Sequence, residues 1–252
     1  MTLLTFRGTV GPRNIFMITY HIITLFPESL DSYLNVSIIK RAQAEGHIAV
    51  KFYNPRDFST AALASKKASR VESYADRRVD NRPYGGGPGM VIEALPVIRA
   101  IEKAVGTKLK SARMKKGVKI IFFSPAGKQF DTGVAESFKK YSDIVFVCGR
   151  YEGIDARVKK AFPMVDISVG PYVLTGGELP ALVIIDAVTR RLPGVLGDNL
   201  SIEESRIASP DVYTRPEVIE YKKKKYRVPK VLLTGHHQKI DQWKEGRKGS
   251  TS

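Results

Sequence analysis

Strand-like and helix-like segments alternate along most of the chain, and this alternation limits the possible folds more than any other feature. Runs rich in β-branched and aromatic residues predict strands at 20–26, 47–53, 119–123, 143–148 and 164–169. Apolar periodicity predicts helices at 27–44, 91–105, 131–141, 154–162 and 179–190. Because parallel strands need long crossover connections, usually helices, we expect an α/β fold with a mostly parallel sheet. Ligand-binding loops then lie at the carboxyl ends of the strands.

The net charge favours a polyanionic partner. The chain has 41 Lys and Arg residues against 25 Asp and Glu, a net charge of +16. Nucleic acid is the favoured partner because neutralised phosphates release condensed counterions. A basic surface without a specific partner, or one attracted to anionic lipid, stays open. The lone Cys148 rules out an internal disulfide, and no apolar run approaches the ~20 residues that span a bilayer. We expect a cytoplasmic protein without membrane segments.

The pattern of alternating segments ends near Pro193, and this change predicts the domain organisation. Residues 17–193 form the expected main domain, and residues 1–16 a disordered extension. Residues 194–212 are polar without a convincing period and predict a linker. Residues 213–252 form a small basic segment, since 11 basic and 5 acidic residues from Asp211 onward give 11 − 5 = +6.

Three glycine-containing loops stand where an α/β sheet would place a ligand. They span residues 82–90, 148–155 and 168–180. Glycine permits close backbone approach to a ligand. None of the loops contains the Gly-Lys-Ser/Thr of a P-loop, and no Gly-x-Gly-x-x-Gly follows the first strand. Their apolar character suits an adenine ring held by backbone groups better than a triphosphate.

Eight segments occur in the order and approximate spacing found in one enzyme family. They are 25–28, 55–58, 80–90, 124–125, 148–155, 172–180, 193–197 and 213–216. Across about residues 17–243 the chain therefore resembles the bacterial tRNA (guanine-N1)-methyltransferases of the TrmD family, which belong to the SPOUT class. The length of the longer motifs makes chance agreement a poor explanation.

The resemblance implies a fold, a cofactor and partners. The fold is a SPOUT α/β domain with a deep C-terminal trefoil knot, followed here by a small, basic, shortened C-terminal helical segment, residues 213–252, that is expected to bind tRNA. The methyl donor is S-adenosyl-L-methionine, the partner is tRNA, and the enzyme is a homodimer with active sites at the interface. The expected cofactor-binding residues are Phe122, Phe123, Ser124, Pro125, Gly149, Tyr151, Glu152, Gly153, Ser168, Val169, Gly170, Tyr172, Val173, Leu174, Gly176, Gly177 and Pro180. The expected substrate-binding residues are Asp80, Tyr84, Gly85 and Gly89.

The implied reaction is methylation of N1 of the guanosine on the 3′ side of the tRNA anticodon. That nitrogen is protonated at neutral pH, so the reaction needs a general base and a cation near O6. Arg190 matches the family's arginine, although an arginine at a helix C-terminus is more often a surface cation. With a one-residue gap, Glu204-Ser205 aligns with the family's Asp-Ser pair, so Glu204 is the expected base and Glu203 the neighbouring alternative.

The sequence also departs from the family. Glutamate in place of aspartate adds a methylene at the base position, so we expect retained but slower activity. Pro171 stands where the third loop usually has an acidic residue, and Asn81 replaces the second of two aspartates. The chain ends soon after Trp243, where relatives continue, which bears on tRNA affinity more than on cofactor binding. Relatives need Mg²⁺, so the resemblance implies this ion here as well. No ligands can be assigned to it, because the four histidines form no metal-binding constellation.

Three other functions stay open at this point. The same cofactor and knot could serve another RNA target, such as a ribose 2′-hydroxyl. Glu204 and the short C-terminal segment are also compatible with an RNA-binding SPOUT protein of reduced activity. A generic nucleotide-dependent enzyme would need a phosphate-binding lysine that the glycine loops lack.

Overall fold

The computed structural model describes residues 17–67, 77–106, 109–110, 113–114, 117–196 and 211–246. These residues fall into two compact units, divided between Val195 and Leu196. The predicted boundaries at residues 193 and 212 stay predictions. Residues 1–16 and most of the predicted linker lie outside the described residues.

A five-stranded parallel sheet forms the centre of the first unit. The strands of this unit are β1 (Ile18–Ile23), β2 (Ile48–Tyr53), β3 (Asp80–Asn81), β4 (Val91–Ile92), β5 (Leu109–Lys110), β6 (Arg113–Met114), β7 (Val118–Gln129), β8 (Asp143–Val147) and β9 (Val165–Ser168). The sheet has the order β2-β1-β8-β7-β9, and each neighbouring pair is parallel. The predicted α/β class with a mostly parallel sheet is confirmed.

Helices cover both faces of this sheet. They are α1 (Glu28–Leu34), α2 (Ser37–Ala44), α3 (Thr60–Lys67), α4 (Ala94–Val105), α5 (Thr132–Phe138), α6 (Arg157–Ala161) and α7 (Glu178–Thr189), with a 3₁₀ turn at Pro55–Phe58. Alternate strand residues point to opposite faces, so β8 directs Ile144 and Phe146 into one core and Val145 and Val147 into the other. The first core also receives α1, α2, α5 and α7, and the second receives α4 and α6.

Three predicted helices differ from the observed ones. The predicted helix 27–44 is broken into α1 and α2 before Ser37, whose φ is 48°. The predicted helix 91–105 begins only at Ala94, because Val91 and Ile92 pair with β3. The predicted helix 154–162 shortens to α6 because Ile154 forms an isolated bridge with Ile92. In the last two cases, pairing with residues distant in sequence replaces local helix formation.

Strand β7 contains an irregular segment that bends around β9. Phe123 and Lys128 both pair with Ile167, so the residues between them are looped out of the ladder. At Gly127 an added Cβ would lie 2.6 Å from the carbonyl carbon of Asp166, closer than real Cβ atoms approach. The close approach of the two backbones therefore requires glycine. The trefoil knot itself stays a prediction from the resemblance.

The second unit contains a β-hairpin as well as a helix. Strands β10 (Val218–Tyr221) and β11 (Lys224–Arg227) pair antiparallel, a 3₁₀ turn follows at Lys230–Leu233, and α8 spans His237–Glu245. The Tyr213 and Trp243 rings lie 6.3 Å apart and pack its ends together. The expected helical character therefore applies to the C-terminal half of this unit. The hairpin was missed because its turn is built from lysines instead of Asn-Gly.

Candidate active site

Three loops at one edge of the sheet enclose a cavity of about 410 Å³. Two of them follow β8 and β9, and the other is the irregular segment within β7 that begins near Phe123; parallel sheets bind ligands at this edge. The third loop returns to the second, since the Gly177 amide donates to the Gly149 carbonyl oxygen at 3.1 Å. A volume of this size is typical of sites that enclose small organic ligands.

Every residue expected to bind the cofactor lines this cavity. The set comprises Phe122 to Pro125 in β7, Gly149 and Tyr151 to Gly153 in the second glycine loop, Ser168 to Gly170, Tyr172 to Leu174, Gly176 and Gly177 in the third glycine loop, and Pro180 in α7. The structure brings together residues that lie almost 60 positions apart in sequence. Their placement is an observation; their role as cofactor ligands stays a prediction.

Six lining residues were not among the predicted ones. They are Arg150, Ile154, Ala156, Lys159, Ile167 and Thr175. Arg150 and Thr175 lie inside the predicted motifs, so the motif itself was the available signal. Lys159 contacts the cavity from α6, and only the fold could reveal this.

The turn into α7 is packed too tightly for any side chain at Gly177. An added Cβ would lie 2.6 Å from the Cα of Cys148 and 2.9 Å from the Phe123 ring. Because the first of these atoms belongs to the backbone, the neighbour cannot rotate away. The close packing of the second and third loops therefore depends on this glycine.

A buried ion pair connects β1, the second loop and α7 beneath the cavity. Glu178 Oε1 accepts a hydrogen bond from Thr24 Oγ1 at 2.7 Å, and Glu178 Oε2 lies 3.0 Å from Arg150 Nε. Neither Arg150 Nε nor Glu178 Oε2 has an aligned hydrogen-bond partner among the described residues, so their contact is electrostatic. The Arg150 guanidinium carbon also lies 4.8 Å from the centre of the Phe26 ring, a cation–π distance.

Two further groups near the loops, Lys159 and Cys148, are respectively paired and buried. Lys159 Nζ lies 2.6 Å from Asp166 Oδ2 and 4.0 Å from the centre of the Phe122 ring. Burial raises the pKa of the Cys148 thiol well above its ordinary value, and the Glu178 carboxylate raises it further while Arg150 opposes this. The cavity is therefore lined mainly by neutral groups, with its cations neutralised by nearby carboxylates.

The first glycine loop lies against the second and borders a wider depression. The Glu152 amide donates to the Met90 carbonyl oxygen at 3.0 Å, and an added Cβ on Gly89 would touch the Glu152 carboxylate. Tyr84 is fully exposed and lines a second cavity of about 820 Å³. Of the other predicted substrate residues, Asp80 pairs with Ile92 in the β3–β4 ladder, and Gly85 lies beside Tyr84 with φ of 86°.

The second cavity has a fixed charged border. Arg157 donates to both carboxylate oxygens of Asp155, with Nε 3.0 Å from Oδ1 and Nη2 2.6 Å from Oδ2. These hydrogen bonds lower the pKa of Asp155 below its ordinary value. The second glycine loop contributes residues to the walls of both cavities, and its Ile154 forms an isolated bridge with Ile92 of β4.

Comparison with known proteins agrees with this geometry. Residues 18–251 match the family model described as tRNA (Guanine-1)-methyltransferase TrmD. The tRNA (guanine-N(1)-)-methyltransferase of Carboxydothermus hydrogenoformans is 41% identical over 230 residues, which cover 89% of this chain and 80% of that protein. The one from Buchnera aphidicola is 40% identical, covering 92% of this chain and 90% of that protein. The crystal structure of tRNA (m1G37) methyltransferase from Aquifex aeolicus has a TM-score of 0.68 and 33% identity, covering 92% and 89% of the two chains.

The chain belongs to the tRNA (guanine-1)-methyltransferase family.

The family's arginine does not line the cavity within one chain. Arg190 is half-buried at the end of α7, whose first residues line the cavity. At 1.5 Å per residue, the helix separates the two ends by about 18 Å. Glu203, Glu204 and Ser205 lie outside the described residues. Of the two expected catalytic residues, only Arg190 belongs to the described part of the chain, and it does not line the cavity.

No metal site is identified. Among the described side chains, no group of three or more His, Cys, Asp or Glu residues is placed to hold a metal ion. The expectation of Mg²⁺ that came with the family gains no support from this arrangement. In the same part of the chain, no helix has both the length and the apolar character needed to span a membrane.

Proposed function

We propose that this protein transfers a methyl group from S-adenosyl-L-methionine to N1 of guanosine 37 in tRNA, in the cytoplasm. The single observation that carries the proposal is the cavity at which the three family motifs converge. The Aquifex aeolicus protein, with a similar fold and 33% identity, is named for this modification of this nucleoside. The other tRNA (guanine-N1)-methyltransferases in the comparison support the same acceptor atom.

The cavity fits the expected methyl donor. Phe122, Ile154 and Ile167 offer apolar surface for an adenine ring, and the glycine loops offer backbone amides and carbonyls. The absence of a side chain at Gly177 lets the second and third glycine loops pack closely where they line the cavity. When bound, S-adenosyl-L-methionine supplies a methyl group on a positively charged sulfur. The residues that would hold it are those lining the cavity.

The acceptor guanine would enter beside the first glycine loop. The exposed ring of Tyr84 and the depression that it borders adjoin the second loop, so a base held there lies next to the donor cavity. Tyr84 would stack on a base, and Asp80 is held in the adjoining ladder by Ile92. This arrangement supports an extruded nucleotide as the acceptor.

The protein must remove one proton and stabilise one developing charge. We assign the first task to Glu204, whose carboxylate would accept the N1 proton. The freed nitrogen lone pair then forms the new bond to the methyl carbon, and the electrons of the broken carbon–sulfur bond stay on sulfur. Arg190 would stabilise negative charge on guanine O6 during this step.

A second copy of the chain would supply the arginine. Because Arg190 lies about 15 Å along α7 from Pro180, the residue of that helix that lines the cavity of its own chain, we propose that it serves a cavity across an interface. Leu179 and Val183 lie one helical turn apart on α7 and are both exposed, which gives this helix an apolar surface for self-association. A dimer mass in sedimentation experiments is expected, and a monomer mass at micromolar concentration would contradict this part of the proposal.

A methyl-transfer assay tests the proposal. Unmodified tRNA transcripts with guanosine or adenosine at position 37 are incubated with isotope-labelled S-adenosyl-L-methionine, and the product nucleosides are identified by mass spectrometry. We expect 1-methylguanosine from the first transcript alone, and about a 100-fold loss or more with Glu204→Gln. Label on a ribose or on another base would indicate a different RNA target. No transfer to either transcript would indicate an RNA-binding protein.

A further inference from the structure

Lys159 is held at the wall of the cavity by two contacts. Its ammonium nitrogen lies 2.6 Å from Asp166 Oδ2 and 4.0 Å from the centre of the Phe122 ring. Lys159 and Phe122 both line the cavity, whereas Asp166 does not and reaches the ammonium group from β9. The adjacent Val158 is fully buried in the second core and anchors α6. The positive charge is therefore fixed beside the space that a ligand would occupy.

This ion pair contributes little to the stability of the fold. The Lys159 and Asp166 side chains are 37% and 42% exposed, so water screens both charges. In the other ion pair at the cavity the Glu178 side chain is only 5% exposed, so that pair belongs to the packing of the loops. The exposed pair can therefore be altered without unfolding the protein, and the main consequence is a change of charge at the cavity.

The carboxylates behind the cavity reverse the sign of its charge. The charged residues in its described lining are Arg150, Glu152 and Lys159, with a net charge of 2 − 1 = +1. Glu178 and Asp166, which pair with the two cations, change this to 1 − 2 = −1. S-adenosyl-L-methionine has a net charge of about +1 at pH 7, from its sulfonium, ammonium and carboxylate groups, whereas S-adenosyl-L-homocysteine, which lacks the methyl group, is neutral overall. A negative surround attracts the first ligand more than the second.

We propose that Asp166 makes the cavity select the cationic methyl donor over its neutral product, by neutralising the Lys159 ammonium group. Without that carboxylate, the ammonium group would repel the sulfonium of S-adenosyl-L-methionine but not the uncharged thioether of S-adenosyl-L-homocysteine. Such selection matters after each transfer, because the product must leave before another donor binds. The inference rests on the proposed function for the identity of the two ligands.

The size of the cavity makes this interaction measurable. A sphere with its volume of about 410 Å³ is about 9 Å across, and the screening length in 0.1 M salt is about 10 Å. A sulfonium bound in the cavity is therefore incompletely screened from Lys159. Donor and product differ only in a methyl group and its charge, so the ratio of their Kd values isolates the electrostatic contribution.

The first experiment exposes the cation. Asp166→Asn keeps the shape of the side chain and removes its charge. The Kd values of S-adenosyl-L-methionine and S-adenosyl-L-homocysteine are measured by isothermal calorimetry at pH 7 in 0.1 M salt. We expect the ratio of the donor Kd to the product Kd to rise about fivefold, an effect that should shrink at higher salt. An unchanged ratio would overturn the proposal.

The second experiment exposes the anion instead. Lys159→Met keeps an unbranched side chain beside the Phe122 ring and removes the ammonium group that pairs with Asp166. We expect the ratio to fall about fivefold, and Asp166→Asn combined with Lys159→Met to restore the parent ratio. Damage to the packing of the cavity wall would weaken the binding of both ligands in both single variants. A ratio that moves in the same direction in the two single variants would therefore overturn the proposal.

The matched control alters an ion pair at the C-terminal end of α5, a helix that does not line the cavity. Glu136 and Lys139 form this pair, and their side chains are 56% and 30% exposed. Glu136→Gln and Lys139→Met make the same two changes of charge there, and we expect both variants to keep the parent ratio. A ratio shifted as far as in the Asp166 and Lys159 variants would assign the selection to overall charge and overturn the proposal.

Failure of the inference differs from failure of the proposed function. If the folded parent protein binds neither ligand, the proposed function and the inference both fail. If it binds both ligands and forms 1-methylguanosine, while the Kd ratio is the same in the parent and in all variants, the proposed function stands. Only the role of Asp166 and Lys159 is then refuted.

Discussion

The cavity of the first unit and the hairpin of the second hold their charges in opposite ways. Arg150 and Lys159 lie at the cavity, and each is neutralised by a carboxylate within 3.0 Å. Lys222 and Lys224 on the hairpin are exposed, and each ammonium group lies near a tyrosine ring. The charges at the cavity are therefore largely neutralised, whereas the hairpin carries an exposed positive charge.

The difference indicates how each region tolerates change. At the cavity, tight packing and buried charge make a single substitution costly, because no solvent can compensate. At the hairpin, exposed groups contribute separately, so substitutions should have graded and nearly additive effects. Stability measurements on cavity variants can confirm or contradict this division.

The largest effect is expected when the buried ion pair is broken. Glu178→Ala leaves the Arg150 charge without its carboxylate and removes the acceptor for Thr24. Because Arg150 is partly exposed, we expect a loss of about 3 kcal/mol in the free energy of unfolding, near the lower limit for such pairs. The melting temperature should fall by about 6–12 °C, measured by calorimetry. Glu178→Gln, which keeps the acceptor, should lose less, and equal loss by both variants would refute the electrostatic role.

A smaller effect is expected from one methyl group at the turn into α7. Gly177→Ala places a Cβ 2.6 Å from the Cα of Cys148, and the required backbone shift should cost about 2 kcal/mol. Gly149→Ala is the matched stability control, since its Cβ would meet Ile154 at an ordinary 3.7 Å. Thermal unfolding of the ligand-free proteins compares them. Equal melting temperatures would show that the loops are less tightly packed than described.

The smallest effect concerns the thiol beneath the cavity. Burial raises the pKa of Cys148, so near pH 8 the native protein has less thiolate than an ordinary cysteine. We expect iodoacetamide to alkylate native protein at least about tenfold more slowly than unfolded protein. The pKa of Cys148 is higher in the folded than in the unfolded protein. Its contribution to the free energy of unfolding is therefore fully present below the unfolded pKa and is lost as pH rises from the unfolded pKa through the folded pKa. Rapid alkylation of the native protein at pH 8 would contradict the closed packing of this region.

The sequence was sufficient to predict the central sheet and most of the cavity wall. The strands have strong local signals, as in the apolar run of β8, and the motifs identified most of the residues that line the cavity. The exceptions depend on contacts between distant residues. Val91 and Ile92 continue a helical pattern but pair with β3, and β7 extends past Pro125 because Lys128 pairs with Ile167.

Two other features have no sequence signal of their own. Arg150 and Glu178 are 28 positions apart, and only the fold shows that they form a pair. The hairpin is hidden because its lysine-rich turn has the composition of a solvated loop. The sequence therefore identified the residues of the cavity but not the ion pair beneath it.

Titration of S-adenosyl-L-methionine into the purified protein by isothermal calorimetry tests the central claim most directly. Binding at the cavity between the three loops predicts saturable heat in the parent protein and affinity reduced by about tenfold or more in Gly177→Ala. A variant of the hairpin turn with Lys222→Asn and Lys223→Gly should bind the donor as the parent does. Absence of donor binding by the folded parent protein, or equal affinity in Gly177→Ala, would contradict the account.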